Sequence, residues 1–396
     1  MPRISLRHVL LALAILCSGL ASSLLQARQY PPLKEVGTGT NSYQFVLKDP
    51  VTGTPLAHTH YRLFAYDVTI KDVPLYPGAN VSVLFGETDA AGRTALVKLP
   101  QAVPEQDWVL TRVVGDGDNG NSFHLIDVFG RVSPGADYVI DIEHGLLYCG
   151  RSDEYGNTAF VATRDDRNQD LFLPDALTEA DFSWCTENVD IMNRMPTDMT
   201  PASRFAVFEN RYVTFKDGLS DSLKLIAARK LTDMAIETKD ALSVTEAVDL
   251  RLKLGQSTDI LNNVGYDLIN ANVLVDRGLD LINRSLQNEP DNFYALDSKG
   301  WALFRLARFD EALEWLNKSL SVYLQQQAED NTALAENYAH RAETLYHLGR
   351  TDEARKVLND GYTIDPESPQ ILETAQRIGM PLKKGSGSQA SAPAII

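Results

Sequence analysis

Gly86-Glu-Thr-Asp-Ala-Ala-Gly-Arg-Thr-Ala-Leu-Val97 returns further along the chain as Gly150-Arg-Ser-Asp-Glu-Tyr-Gly-Asn-Thr-Ala-Phe-Val161. The copies agree in character at Gly86/Gly150, Thr88/Ser152, Asp89/Asp153, Gly92/Gly156, Thr94/Thr158, Ala95/Ala159 and Val97/Val161. An internal repeat constrains architecture more than any single motif. Asp at the first turn position and Gly at the fourth suit a type I turn, because Gly tolerates positive φ. The alternating Thr-Ala-Leu-Val that follows reads as a strand leaving the turn. The unit predicts a β-hairpin, used twice.

The repeat extends upstream. Phe45-Val-Leu-Lys-Asp-Pro-Val-Thr-Gly53 aligns with Phe123-His-Leu-Ile-Asp-Val-Phe-Gly130, and Tyr61 with Tyr138. Extra residues between Tyr61 and Gly86 predict a longer hairpin over Val68 to Asn80. Two such copies predict tandem β-sandwich modules, residues 28–105 and 106–164, with an extended lead-in over 28–42. Between the modules, Gly115-Asp-Gly-Asp-Asn-Gly-Asn121 reads as a polar turn. Asp116, Asp118 and Asp127 have calcium-loop spacing, but Gly120 and Asn121 replace a ligand and the required Gly, and no helix is expected to flank the loop.

The net charge of −16 argues against nucleic acid or an anionic membrane as partner, since phosphate recognition needs a basic stripe. Residues 1–27 read as a secretory signal peptide, with Arg3, Arg7 and His8 ahead of a short apolar core. That core is broken by Ser18 and Gly19, short of the roughly 20 apolar residues a span needs. Periplasmic export follows. Lipid anchoring at Cys17 is the secondary expectation, because Leu16 stands where a lipobox takes a small residue. Cys149 and Cys185 then remain in an oxidising compartment, as a disulfide or as two small buried thiols.

Residues 165–218 read as a connector, with Phe205 to Phe215 either strand or helix. From Ser220 the period becomes helical, with Leu223, Ile226, Ala227 and Leu231 on one face. Helix pairs are expected over about 258–291, 293–326 and 335–368, within a helical domain at 219–382 ahead of a disordered tail at 383–396. Small residues at Gly265, Gly278, Gly300, Ala312, Ala342, Ala354 and Gly361, large ones at Leu296, Leu303, Leu316, Tyr338, Leu345 and Leu358, and closing prolines Pro290 and Pro366 resemble the tetratricopeptide repeat. That resemblance implies an α-α superhelix whose concave face carries Asn262, Tyr266, Asn270, Asp297, Trp301, Phe304, Arg305, Glu343, Tyr346 and His347. Such an aromatic and Arg-containing face suits another protein as partner. Trp301 and Phe304 could instead pack between repeats.

The pattern Phe-x-Leu-x-Asp, Gly, Tyr, then Gly-x-Thr-Asp-x-x-Gly-x-Thr over residues 43–163 resembles the transthyretin-like sandwich, and in particular the copies appended to spike proteins and effectors of type VI secretion systems. The fold class expected is therefore multidomain all-β plus all-α: two tandem transthyretin-like modules followed by the superhelix. The resemblance implies an adaptor rather than a catalyst; the Tyr-Arg-Gly-Ser signature of the related hydroxyisourate hydrolases is absent.

No nucleophile elbow, phosphate loop or His-Glu-x-x-His occurs, and no cofactor is expected. His58 and His60 share a strand face, a spacing found in some metal sites, with no acidic partner evident nearby. The leading expectation is a non-enzymatic exported binding protein, most concretely a periplasmic immunity protein that occludes a type VI effector. The alternatives are a scaffold in envelope assembly and a metal-dependent hydrolase using His58 and His60.

Overall fold

The computed structural model describes residues 34–75, 81–117, 119–196 and 198–382. The expected signal peptide at 1–27, the expected tail at 383–396, Asp118 and the tip of the expected 68–80 hairpin lie outside the described residues. The chain divides into two compact units at Lys230/Leu231.

The first unit carries β1 (Glu35–Gly37), β2 (Asn41–Tyr43), β3 (His60–Ala65), β4 (Leu84–Glu87), β5 (Leu96–Leu99), β6 (Trp108–Gly115), β7 (Asn119–Asn121), β8 (Asp137–Ile142), β9 (Leu147–Arg151), β10 (Phe160–Thr163) and β11 (Gln169–Phe172). Three sheets result, in the orders β1-β5-β2, β4-β3-β6-β10-β7 and β11-β8-β9. One core gathers Tyr61, Leu63, Ala65, Leu84, Val97, Leu99 and Trp108 between the first and middle sheets. A second gathers Val114, Tyr138, Ile140, Ile142 and Val161 between the middle and third sheets.

The repeated stretch departs from a hairpin. β4 pairs with β3 while β5 pairs with β1 and β2, so the turn carries the chain from one sheet to another. In the second copy, β9 pairs with β8 while β10 pairs with β6 and β7. The side chains explain why the two arms separate. Thr88 Oγ1 accepts from Thr59 N (3.0 Å) and Thr94 Oγ1 from Phe45 N (3.1 Å); Ser152 Oγ accepts from Ala136 N (2.9 Å) and Thr158 Oγ1 from Phe123 N (2.8 Å). Each arm is thus bonded outward. A tyrosine fills the space between them: Tyr61 Oη accepts from Ala95 N (2.9 Å) and Tyr138 Oη from Ala159 N (2.8 Å). Gly86 and Gly150 leave room for these rings, since a Cβ would stand 2.7 and 2.3 Å from the two hydroxyl oxygens. The turns themselves form as expected, with Asp89 Oδ1 accepting from Ala91 N and Arg93 N, and Asp153 Oδ1 from Tyr155 N and Asn157 N.

The expected division at 105/106 is also corrected. β6 pairs antiparallel with β3 through Trp108–Arg112 and parallel with β10 through Val113–Gly115. One strand therefore closes the first copy and opens the second. The repeat begins earlier than Phe45: Val36-Gly-Thr-Gly-Thr-Asn41 matches Val114-Gly-Asp-Gly-Asp-Asn119. Val36 pairs with Val97 and Val114 with Val161, and φ is 143° at both Gly39 and Gly117. The lead-in and the calcium-like loop are thus the same element, used twice. Asp116 there is held by Arg164 (3.2 Å), and Asp127 by Arg131 within its own turn (2.6 Å).

The expected connector is ordered structure belonging to this unit. It contributes β11, α1 (Glu179–Arg194) and α2 (Pro201–Phe215), the last resolving the strand-or-helix ambiguity. Thr178 and Asp181 cap α1 reciprocally: Asp181 N donates to Thr178 Oγ1 and Thr178 N to Asp181 Oδ2. Cys149 on β9 and Cys185 on α1 are joined as a disulfide, their Cα atoms 5.5 Å apart. In α3 (Asp221–Thr238), Lys230 buries its ammonium against Asp141 (2.6 Å) and the carbonyl of Ile142 (2.5 Å).

The second unit continues with α4 (Ala241–Leu254), α5 (Thr258–Asn270), α6 (Val275–Asn288), α7 (Phe293–Arg305), α8 (Phe309–Gln325), α9 (Asn331–His347), α10 (Thr351–Ile364) and α11 (Pro369–Arg377). The helical unit starts within α3, later than the expected boundary at 219. The pairs α5/α6, α7/α8 and α9/α10 pack closely because small residues sit at their crossings. A Cβ on Gly265 would lie 2.9 Å from the Gly278 carbonyl, and one on Gly300 would lie 2.5 Å from Leu316. The third pair begins at Asn331, ahead of the expected 335, because Asp330 caps α9 by accepting from Ala333 N (2.9 Å).

Two outcomes follow. Tyr138→Phe strands the buried Ala159 amide and should cost about 1–3 kcal/mol in urea unfolding, with a similar loss for Tyr61→Phe. Cys185→Ser should lower stability by roughly 3–4 kcal/mol on the loop-entropy model, and reduction of the native protein should reproduce most of that loss.

Candidate protein-binding face

The first helices of the three pairs, α5, α7 and α9, lie side by side, and their inward residues form one face. Most of the expected site residues on it are occupied with each other. Trp301 is 2% exposed and Phe304 8%. Trp301 stacks on Phe304 at 4.6 Å and on His340 at 4.2 Å, with the Arg305 guanidinium 4.6 Å from its ring centre. These two aromatics are therefore core, the second of the readings that the sequence left open.

Polar groups complete this column. Asp297 on α7 accepts from Asn337 Nδ2 (2.7 Å) and is paired with His340 Nδ1 (2.7 Å), both on α9. Tyr266 on α5 donates to Glu336 on α9, so the first and third inner helices meet across the face. Burial followed by the Glu336 carboxylate raises the phenol far above its ordinary range, which keeps it protonated and donating. Glu343 is buried and accepts from Arg377 Nε (2.9 Å) and Nη2 (2.7 Å). Asn262 is likewise buried.

What remains accessible is an edge at the C-terminal ends of the inner helices. Asn270 and His347 are exposed, Tyr346 is 39% exposed, and Arg305 is half-buried with its Nη2 on the Asn270 carbonyl (3.1 Å). Phe309 stacks on His347 at 5.2 Å and Tyr346 meets it edge-on at 5.7 Å. The ten expected residues thus separate into an internal group and a smaller accessible group. Sequence reasoning missed Glu336, Asn337, His340 as a buried hub, and Arg377. His340 was legible only as a histidine sharing the helical face of His347. Arg377 lies on α11, which the Ser368-Pro369 capping pair could have signalled.

His58 and His60 lie around one carboxylate: Glu87 is 3.3 Å from His58 Nδ1 and 3.8 Å from His60 Nε2. Among the described residues, no group of three His, Cys, Asp or Glu side chains is arranged to hold a metal ion. No described helix is long and apolar enough to cross a membrane.

The tetratricopeptide repeat family model matches residues 295–367. The C-terminal part of this chain is a tetratricopeptide repeat domain. No curated protein matches the chain. Among solved structures, the first repeat domain of Spaghetti bound to an HSP90 peptide is 18% identical, covering 31% of this chain and 91% of its own, with a TM-score of 0.26. YrrB, described as having an unusual peptide-binding site, is 16% identical over 44% of this chain and 84% of its own, with a TM-score of 0.30. MamA from Desulfovibrio magneticus is 16% identical over 39% of this chain and 82% of its own, with a TM-score of 0.29.

The Asp297–His340 pair gives this face a pH signature. Burial pulls the imidazole down, but Asp297 and its hydrogen bond outweigh burial and hold His340 above the ordinary histidine value. A raised folded value contributes stability below the unfolded pKa, near 6.5, that is lost as pH rises through the folded value. Thermal scans should show His340→Gln destabilised more at pH 5.5 than at pH values above that folded pKa. A deficit independent of pH would contradict the charged pair.

Proposed function

We propose that this chain is an exported, non-catalytic protein-binding protein. Its partner docks on the accessible edge of the repeat domain formed by Asn270, Arg305, Tyr346 and His347. The observation that carries the reading is this edge: two aromatic groups and a guanidinium converge beside a rigid column of buried residues. Aromatic and Arg side chains dominate binding energy at protein interfaces, and a pre-packed support lowers the entropic cost of docking. Export is supported by the signal-like segment at 1–27 and by the Cys149–Cys185 bond, which belongs to an oxidising compartment.

The finer reading is a periplasmic immunity protein that neutralises a type VI secretion effector. It rests on the resemblance of the duplicated turn to transthyretin-like modules of that apparatus. Its test is survival of cells that express a periplasm-directed effector from the same locus together with the mature chain; unaltered killing refutes it.

Affinity capture of the mature protein tests the broader reading. Tyr346→Ala and His347→Ala should each lose the captured protein at least tenfold while leaving the melting temperature close to native. Trp301→Ala should lower stability by about 3–5 kcal/mol, as expected of a truncated core aromatic. Capture unchanged by both edge substitutions would overturn the assignment of this edge.

A further inference from the structure

A second site lies in the β unit. A cleft of about 720 Å³ opens along β6, bounded by the Leu47–Val51 segment, Leu56, β9 and α1. Its volume falls in the range of built ligand pockets. The disulfide between Cys149 and Cys185 fixes α1 on β9 as one wall, and Phe182 of α1 is backed by Arg151, 5.0 Å from its ring centre.

Two features of β6 give this cleft chemistry. The first is an open ladder position. Antiparallel pairs alternate between bonded and non-bonded. Tyr66 N donates to Asp107 O (3.2 Å), which makes Tyr66–Asp107 a bonded pair in the β3–β6 register. Counting by two, Phe64–Val109 and Arg62–Thr111 are bonded, whereas Leu63–Leu110 is not. Independent support comes from Thr88 N donating to Thr59 O (3.0 Å), which assigns the bonded groups of Tyr61 and Leu63 to β4. The N–H and C=O of Leu110 therefore point away from β3. The parallel pairing with β10 starts only at Val113, so these two groups meet no strand.

The second feature is a cation. Arg112 is exposed, lines the cleft, and makes no hydrogen bond or ion pair among the described residues. Its field reaches Asp49, Tyr138 and Tyr148, all in the cleft lining. Other cations there are engaged: Lys48 with Glu154 at 3.7 Å and Arg151 with Asp137 at 2.5 Å. The carboxylates of Asp49 and Asp153 accept from backbone amides of their own turns. Among the described residues of the cleft lining, Arg112 is the cation without a salt bridge.

Leu110 and Arg112 share a strand face, about 7 Å apart along β6. We propose that this cleft binds an extended acidic peptide, which pairs its backbone with Leu110 and places a carboxylate on Arg112. Addition of a strand to an open ladder supplies affinity through main-chain hydrogen bonds and tolerates varied sequence. The Arg–carboxylate contact would set the preference for acidic peptides. This site is separate from the edge of the repeat domain and does not depend on it.

The test uses the full mature protein, isotope-labelled for amide and Arg Nε resonances, and an acetylated hexapeptide of alternating Val and Glu. The Leu110 amide and Arg112 Nε resonances should shift saturably. The alternating Val–Gln peptide, and the Arg112→Gln variant with the acidic peptide, should each bind at least tenfold more weakly. Lys98→Gln, outside the cleft and paired with Glu35, should bind as native. Absence of a saturable Leu110 shift at millimolar peptide overturns the proposal, as does equal affinity of Arg112→Gln. Decanoate displacing the peptide without moving the Leu110 amide would assign the cleft to small carboxylates and would also overturn it.

Discussion

A β-strand has two edges, and β6 gives them to different halves of the first unit. Its early residues pair with β3 and its last three with β10. Because side chains alternate, Trp108, Leu110 and Val114 fall on one face of the middle sheet, and both cores are built on that face. A slip of one residue would turn all three outward together. The register of this strand therefore sets the register of both halves. The opposite face carries a small cluster of Phe85, Val113, Phe160 and Ala162, with Arg62 placed over both Phe160 and Phe64.

Much of the β unit could be read from the repeat, because each coinciding residue has one local task that is performed twice. Gly86 and Gly150 admit a tyrosine, and the hydroxyls of Thr88, Ser152, Thr94 and Thr158 bond backbone. The destination of the strands was not readable. A type I turn with an Asp cap looks the same whether its arms pair together or enter separate sheets. That difference lies in long-range partners such as Thr59 and Phe45, which no local pattern names. The match of Val36–Asn41 to Val114–Asn119 was hidden for another reason: one copy reads as an extended lead-in and the other as a polar turn between modules, so neither points to the other.

In the helical unit the small residues at the crossings were legible because close helix approach excludes larger ones. The inner face was only half legible. Repeat position places Trp301, Phe304 and Asp297 inward, but it does not show that α5 and α9 reach each other over α7. Once Tyr266 meets Glu336 and His340 covers Trp301, inward-facing means buried. Accessibility survives where the helices end, at Asn270, Arg305, Tyr346 and His347.

The double allegiance of β6 also bears on how the duplication can be dissected. A sequence-based cut after residue 105 would take from the first copy its pairing partner for β3 and leave it with an open sheet edge. A cut after Gly115 would deprive β10 of its parallel neighbour and uncover Val161. No point along β6 yields two finished modules, so the copies behave as interlocked halves with one strand of overlap. Their count as sequence repeats is two, whereas their count as separable folding pieces is one.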